Sequence, residues 1–167
     1  MSTATWLVDI GYVVKASEDK FKLDYVEAHR LLEERCGPTR AFLFNGFDPA
    51  YGVSAGLRKF YEAMEQHGME VRLQPMQSGP GGTNRQRRVD VDISAHLVWQ
   101  ASIGGIMTLV LTTGDEDFIP AVEVVREQYG KRLVLFTYDQ NVHEELAESV
   151  DEWWLFESEM ARLARLW

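Results

Sequence analysis

Five apolar runs of strand length, separated by stretches whose hydrophobic residues recur at helical spacing, leave this chain few folds to choose from. They are TWLVDI (5–10), RAFLFNGF (40–47), MEVRLQP (69–75), IMTLVLTT (106–113) and RLVLFTY (132–138). Short, nearly continuous apolar runs of this kind suit strands covered on both faces, as in a parallel sheet. The segments between them carry helix punctuation. Asp24 and Glu27 stand at capping-box spacing ahead of YVEAHRLLEERC, and Gly37-Pro38 closes that stretch. Leu57, Phe60, Tyr61 and Met64 form one helical face with Gly68 as its stop, and Val122, Val125 and Tyr129 form another, ended by Gly130. The alternation predicts an α/β three-layer sandwich: a central, mainly parallel sheet with right-handed crossovers, Rossmann-like in plan.

The C-terminal DEWWLFESEMARLARLW (151–167) reads as a short strand and an amphipathic helix with Phe156, Met160 and Leu163 inward. The expected organisation is one domain over 1–150 with residues 151–167 packed on it as an extension. MQSGPGGTNRQRR (76–88) breaks the rhythm. Rich in Gly, Pro and Arg and long for a connection inside a compact domain, it reads as a surface loop or a lid.

Composition narrows the setting. One cysteine, Cys36, excludes an internal disulfide and a cysteine-based zinc site, and points to a reducing cytoplasm. The N-terminal MSTATWLVDIGYVV lacks a signal-peptide pattern, and no run of eighteen apolar residues is present, so a cytoplasmic protein with no membrane partner is expected. A net charge of −9 argues against non-specific DNA coating, though not against a nucleic-acid enzyme whose basic residues sit in one patch.

The carboxylates then fall in a telling place. In parallel α/β sheets, sites form beyond the carboxyl ends of strands at the point where crossovers diverge. Asp9 ends the first run, while Asp115 and Asp117 in TTGDEDFIP lie just past the fourth. Asp90 and Asp92, in RRVDVDISAHLVWQ, open the helix before that strand. Four or five acids meeting at one crevice repel one another, and a hard divalent cation relieves that conflict. Phosphodiester hydrolysis is the chemistry such a centre suits best. Arg85, Arg87 and Arg88 form a basic cluster beside it, suited to gripping backbone phosphate with paired donors. The simpler readings are helix capping for Asp115 and Asp117, and charge balance between the arginines and Asp90 or Asp92.

Three stretches in order, WLVDIGYVV, RRVDVDISAHLV and LTTGDEDFIPAV, resemble the NYN domain family, the LabA-like branch of the PIN-like nucleases. The resemblance runs from about residue 5 to residue 150. It implies a PIN-like α/β fold and metal-dependent ribonuclease activity with Mg²⁺ or Mn²⁺, RNA as partner, and Asp9, Asp90, Asp115 and Asp117 as the metal-site acids. Two positions depart from the family pattern: Tyr12 stands where an Asn is usual, and His96 where the helix usually bears another Asp. Asp92 lies four residues before His96, so the pair shares a helix face and is the expected substitute for that acid as metal ligand and base. Tyr12 packs in the crevice or stacks on a base. The five tryptophans, Trp153, Trp154 and Trp167 among them, read as core or as a homodimer contact, and His29, His67 and His143 as surface residues.

Two rival functions stay open on sequence. One is a module that retains RNA or protein binding without catalysis. The other is an Asp-rich small-molecule phosphatase with Asp9 as nucleophile, in which Gly11 occupies the place of the usual second Asp.

Overall fold

The computed structural model describes residues 1–78 and 84–166, with the backbone but not the side chains of residues 77, 78, 84 and 85. The Arg85 side chain and Trp167 therefore lie outside the described residues. Six strands build one sheet: β1 (Ala4–Asp9), β2 (Thr39–Phe47), β3 (Glu70–Pro75), β6 (Thr108–Thr112), β7 (Arg132–Thr137) and β8 (Glu152–Leu155). Their order is β3-β2-β1-β6-β7-β8, and every pairing is parallel. The chain starts at the middle of the sheet, works outward to β3, crosses back over to β6 and works outward the other way.

Both faces of the sheet are dry. In β1, Trp6 and Val8 face one core while Leu7 faces the other, and Val134 and Phe136 oppose Leu133 and Leu135 in the same way on β7. This period-two division between two apolar environments is why the strands read as continuous hydrophobic runs. The first core is covered by α1 (Ile10–Ala16), α2 (Tyr25–Cys36), α3 (Ala55–Gln66) and the C-terminal α7 (Met160–Leu163); the second by α4 (Arg87–Ala101), α5 (Ile119–Glu123) and α6 (Glu144–Ser149). Helix α2 starts as its sequence dictates: Asp24 accepts the Glu27 N–H at 3.1 Å, and Gly37 leaves the helix with φ 80°. No helix among the described residues is long and apolar enough to cross a membrane.

Four details differ from the sequence expectation. Leu57, expected on the buried face of α3, is 44% exposed in the first turn of that helix. Tyr129 is 41% exposed because residues Val124–Gln128 form a π turn, whose extra residue per turn rotates the side chains after it off the buried stripe. Met160 is 54% exposed because a 3₁₀ turn over Phe156–Glu159 tightens the chain before it, while Phe156 and Leu163 stay fully buried. The 76–88 stretch is not one loop: Gln77–Ser78 (β4) pairs antiparallel with Asn84–Arg85 (β5), and α4 has begun by Arg87.

Candidate metal centre

The strand order reverses between β1 and β6, whose crossovers leave to opposite sides. Asp9 is both the last residue of β1 and the N-cap of α1. Its Oδ1 accepts the Tyr12 N–H at 3.3 Å, and its Oδ2 accepts the Thr113 hydroxyl at 3.0 Å. Burial drives the Asp9 pKa above the ordinary carboxylate value, the hydrogen bonds from Tyr12 and Thr113 oppose that rise, and the charge of Asp115 adds to it.

The stretch TTGD at the end of β6 has a separate task for each residue. Thr112 is buried, accepts the Trp6 indole N–H at 2.9 Å from β1 and donates to the Phe136 carbonyl at 2.6 Å on β7, tying three neighbouring strands together. The Thr113 hydroxyl holds Asp9 and also accepts the Asp115 N–H at 3.4 Å. At Gly114 a Cβ would lie 1.8 Å from the Asn141 carbonyl oxygen and 2.9 Å from the Tyr12 ring, so no other residue fits. The Gly114 carbonyl in turn accepts the His143 N–H at 2.9 Å. Asp115 then caps the following 3₁₀ turn by accepting the Asp117 N–H at 2.9 Å, and Pro120 sits in the first turn of α5.

Asp90 arrives from the opposite direction, in the first turn of α4. Asp90, Asp115 and Asp117 each offer a carboxylate oxygen, and the three oxygens lie within 4.8 Å of one another. Burial raises the Asp90 pKa first, the charges of Asp9, Asp115 and Asp117 raise it further, and together they push it up to about 7. Capping explains one oxygen of Asp115; it gives no reason for Asp90 to be held half-buried against two more acids. An all-oxygen, all-carboxylate donor set suits a hard cation such as Mg²⁺ or Mn²⁺ rather than a soft one. Asp9 stands behind this group, its two oxygens each accepting a hydrogen bond, and contributes negative charge to it.

Asp92 and His96 lie elsewhere. Two residues on from Asp90 is a rotation of about 200° around a helix, so Asp92 faces β3 instead. There the Arg72 guanidinium grips it with two bonds of 2.8 and 3.1 Å, and the Gln74 amide adds a third at 3.3 Å. His96 Nδ1 sits 3.1 Å from the same carboxylate and 2.9 Å from the Asp92 carbonyl oxygen, with its ring edge-on to Phe42 and Phe44. The pair does share a helix face, but a face turned from the acid group. Tyr12 is 8% exposed, and its phenol donates to the Gln140 carbonyl at 2.9 Å, so here it braces the acid-bearing turn from within. Arg87 and Arg88 are exposed at the start of α4 and line a hollow of about 460 Å³ with Gln74 and Asp92.

The residues that sequence reasoning passed over are Thr113, Gly114 and Gln86. A hydroxyl beside a strand-end glycine is a signal for the first two. Gln86, whose amide oxygen would lie 3.0 Å from a Cβ at Gly11, carries no sequence signal. A second acidic group, Glu116 with His143 and Glu145, is exposed; His143 caps α6 through Nδ1 and pairs with Glu116 at 3.0 Å through Nε2, which accounts for it.

The family model of the NYN domain matches residues 5–155, most of the chain. The chain belongs to the NYN domain family. This places the acid group of the NYN domain in a nuclease-like, PIN-like scaffold. No curated protein matches it. Among solved structures, the crystal structure of a protein of unknown function from Vibrio parahaemolyticus is similar, with a TM-score of 0.79 and 19% identity over 96% of this chain and 94% of that one. That likeness is one of fold.

Proposed function

We propose that this NYN domain hydrolyses RNA phosphodiester bonds with a Mg²⁺ or Mn²⁺ ion held at Asp90, Asp115 and Asp117. The observation that carries the reading is the convergence of those three carboxylate oxygens within 4.8 Å, with Asp90 raised to about 7 by burial and by the charges of Asp9, Asp115 and Asp117. A divalent cation bound there supplies Lewis acidity toward a phosphoryl oxygen and makes bound water more acidic. Asp9 completes the negative field, while Thr113 fixes its orientation and that of the Asp115 backbone. Deprotonation of Asp90 accompanies cation binding near neutral pH. Arg87 and Arg88, exposed at the start of α4 on the side of Asp92, offer paired donors to a substrate phosphate on the flank of the acid group. Asp92 and His96 are given no metal role in this proposal, because Arg72 and Gln74 already engage Asp92.

A second reading, a NYN module that binds RNA or a protein without cutting, is favoured by Tyr12 and His96. Both depart from the family pattern, and both are committed to internal contacts.

The test is cleavage of labelled single-stranded RNA in Mn²⁺ and in Mg²⁺ by wild type and by Asp115→Asn purified identically. Cleavage by wild type alone supports the nuclease. Equal cleavage by both removes the assignment, and RNA retained in EDTA without turnover in either metal supports the binding module.

A further inference from the structure

Helix α4 is apolar on two sides. Val89, Ile93, Leu97 and Ala101 face the second core, while Val91, Ala95, Trp99 and Ile103 follow one another at intervals of four on the side turned from the sheet. Val91 is 69% and Trp99 46% exposed, Ala95 is exposed between them, and Ile103 stands just past the C-cap. A surface helix buries one stripe and offers a polar face to water, so a second apolar stripe marks a contact face. Its two ends differ in charge. At the Val91 end, Arg87 and Arg88 line a hollow of about 460 Å³ and, among the described residues, have no ion-pair partner. At the Trp99 end, a hollow of about 360 Å³ carries Glu65 and Glu70 against Arg40, which pairs with Glu70 and lies 5.1 Å from the centre of the Trp99 ring. Arg72 and Asp92 neutralise each other between the two hollows. Two uncompensated positive charges therefore stand at one end and one negative charge, Glu65, at the other, and the dipole of α4 runs in the same sense.

A partner of uniform charge could match only one end of this stripe. A second copy, turned end for end, matches both. We infer that α4 pairs antiparallel with α4 of a second copy of this chain about a two-fold axis at Ala95. A two-fold axis sets each residue against its counterpart in reverse order, so Val91 meets Trp99 of the partner subunit, Ala95 meets Ala95 of the partner subunit, and the Arg87–Arg88 end lies beside Glu65 of the partner subunit. Residues four apart form the ridges that interlock when two helices cross at about −50°, and Ala95, the smallest side chain of the stripe, stands at the crossing. The arginines fall at the polar rim, where charges set orientation more than affinity. The tryptophans at the other edge of the sheet are engaged within the chain: Trp153 donates to the Thr137 hydroxyl at 2.8 Å, and Trp154 packs edge-on against Phe136. Asp90 lies about 140° around α4 from Ala95, so the contact leaves the acid group uncovered and stands or falls apart from the nuclease reading.

Sedimentation equilibrium of the full chain is the experiment. Wild type is expected to show a mass that rises with concentration from one chain toward two. Ala95→Arg puts bulk and like charge at the axis of an exposed helix face, and is expected to weaken the dimer about tenfold or more at an unchanged melting temperature. Arg88→Glu is expected to weaken it as well, and Glu65→Arg added to Arg88→Glu to restore it. A second measurement locates the axis without relying on a disruptive variant. In a Cys36→Ser background, Ala95→Cys is expected to oxidise to a covalent dimer, because only residues beside a two-fold axis bring their own Cβ atoms within disulfide reach; Glu148→Cys, on exposed α6, is expected to stay monomeric. A chain that is monomeric at every concentration overturns the inference. So does a dimer indifferent to Ala95→Arg, or an Ala95→Cys chain that crosslinks no faster than Glu148→Cys.

Discussion

Thr113 touches two of the site's components with one hydroxyl, donating to Asp9 Oδ2 at 3.0 Å and accepting the Asp115 N–H at 3.4 Å. Thr113→Val keeps the shape and removes both bonds. It is expected to cost about 1–3 kcal/mol, since Asp9 loses a donor where it is buried, and to raise the Asp9 pKa further. If Thr113 orients the acids, Mn²⁺ affinity should also fall by about 10- to 100-fold; calorimetric titration checks this, and unchanged affinity would confine Thr113 to a structural role. Asp90 yields a pH prediction. Its folded pKa, about 7, lies above that of an ordinary carboxylate, so protonation favours the folded state. The stabilisation from Asp90 is therefore full below about pH 4 and is lost as pH rises through 7. The metal-free protein should show a melting temperature that declines between pH 5 and 8, and Asp90→Asn should flatten that decline. Mn²⁺ should stabilise the wild type more at pH 8 than at pH 6, because the cation competes with the proton.

Helix α4 carries two acids with separate duties, Asp90 toward the acid group and Asp92 toward Arg72. Asp92→Asn should lower the melting temperature, because it discharges a largely buried partner of Arg72, yet leave Mn²⁺ affinity within twofold of wild type. A parallel loss of affinity would bring Asp92 back among the metal ligands. Much at this scale was legible in the sequence. Five of the six strands stand where the apolar runs fall, and β8 where the C-terminal stretch reads as a short strand; the inner strands, buried on both faces, have no polar side to hide their pattern. The Asp24 cap and the Gly37, Gly68 and Gly130 stops are local chemistry and read directly. What escaped depended on geometry that spacing alone does not carry. The π turn after Glu123 and the 3₁₀ turn at Phe156 change the rotation per residue and so displace Tyr129 and Met160. The two-residue strands at Gln77 and Asn84 are too short to show alternation. Within the candidate site, the acids beside β1 and β6 were readable because sheet topology fixes where strand ends meet. The separation of Asp92 from Asp90 was implicit in the helical rotation, and the Arg72 partner on β3 was not.

At the scale of the molecule, the C-terminal segment is woven into the sheet and the first core. Strand β8 pairs with β7, Phe156 packs edge-on against Phe136 and Tyr138, and Leu163 is fully buried. Losing Phe156 and Leu163 alone should cost about 5–10 kcal/mol by comparison with large-to-small core substitutions, against a typical total stability of about 5–15 kcal/mol. A chain ended at residue 150 should therefore lack a cooperative thermal transition; a sharp one within about 5 °C of the full chain would show that residues 1–150 fold alone. The close approach at Gly114 has a different kind of consequence. The acid-bearing turn and the segment around Asn141 fit like a key and its wards: with only 1.8 Å where a Cβ would stand, neither can be recut without the other. Loop exchange between NYN domains should succeed only when residues 112–118 and 139–143 travel as a pair, and drift in one through evolution must be answered in the other.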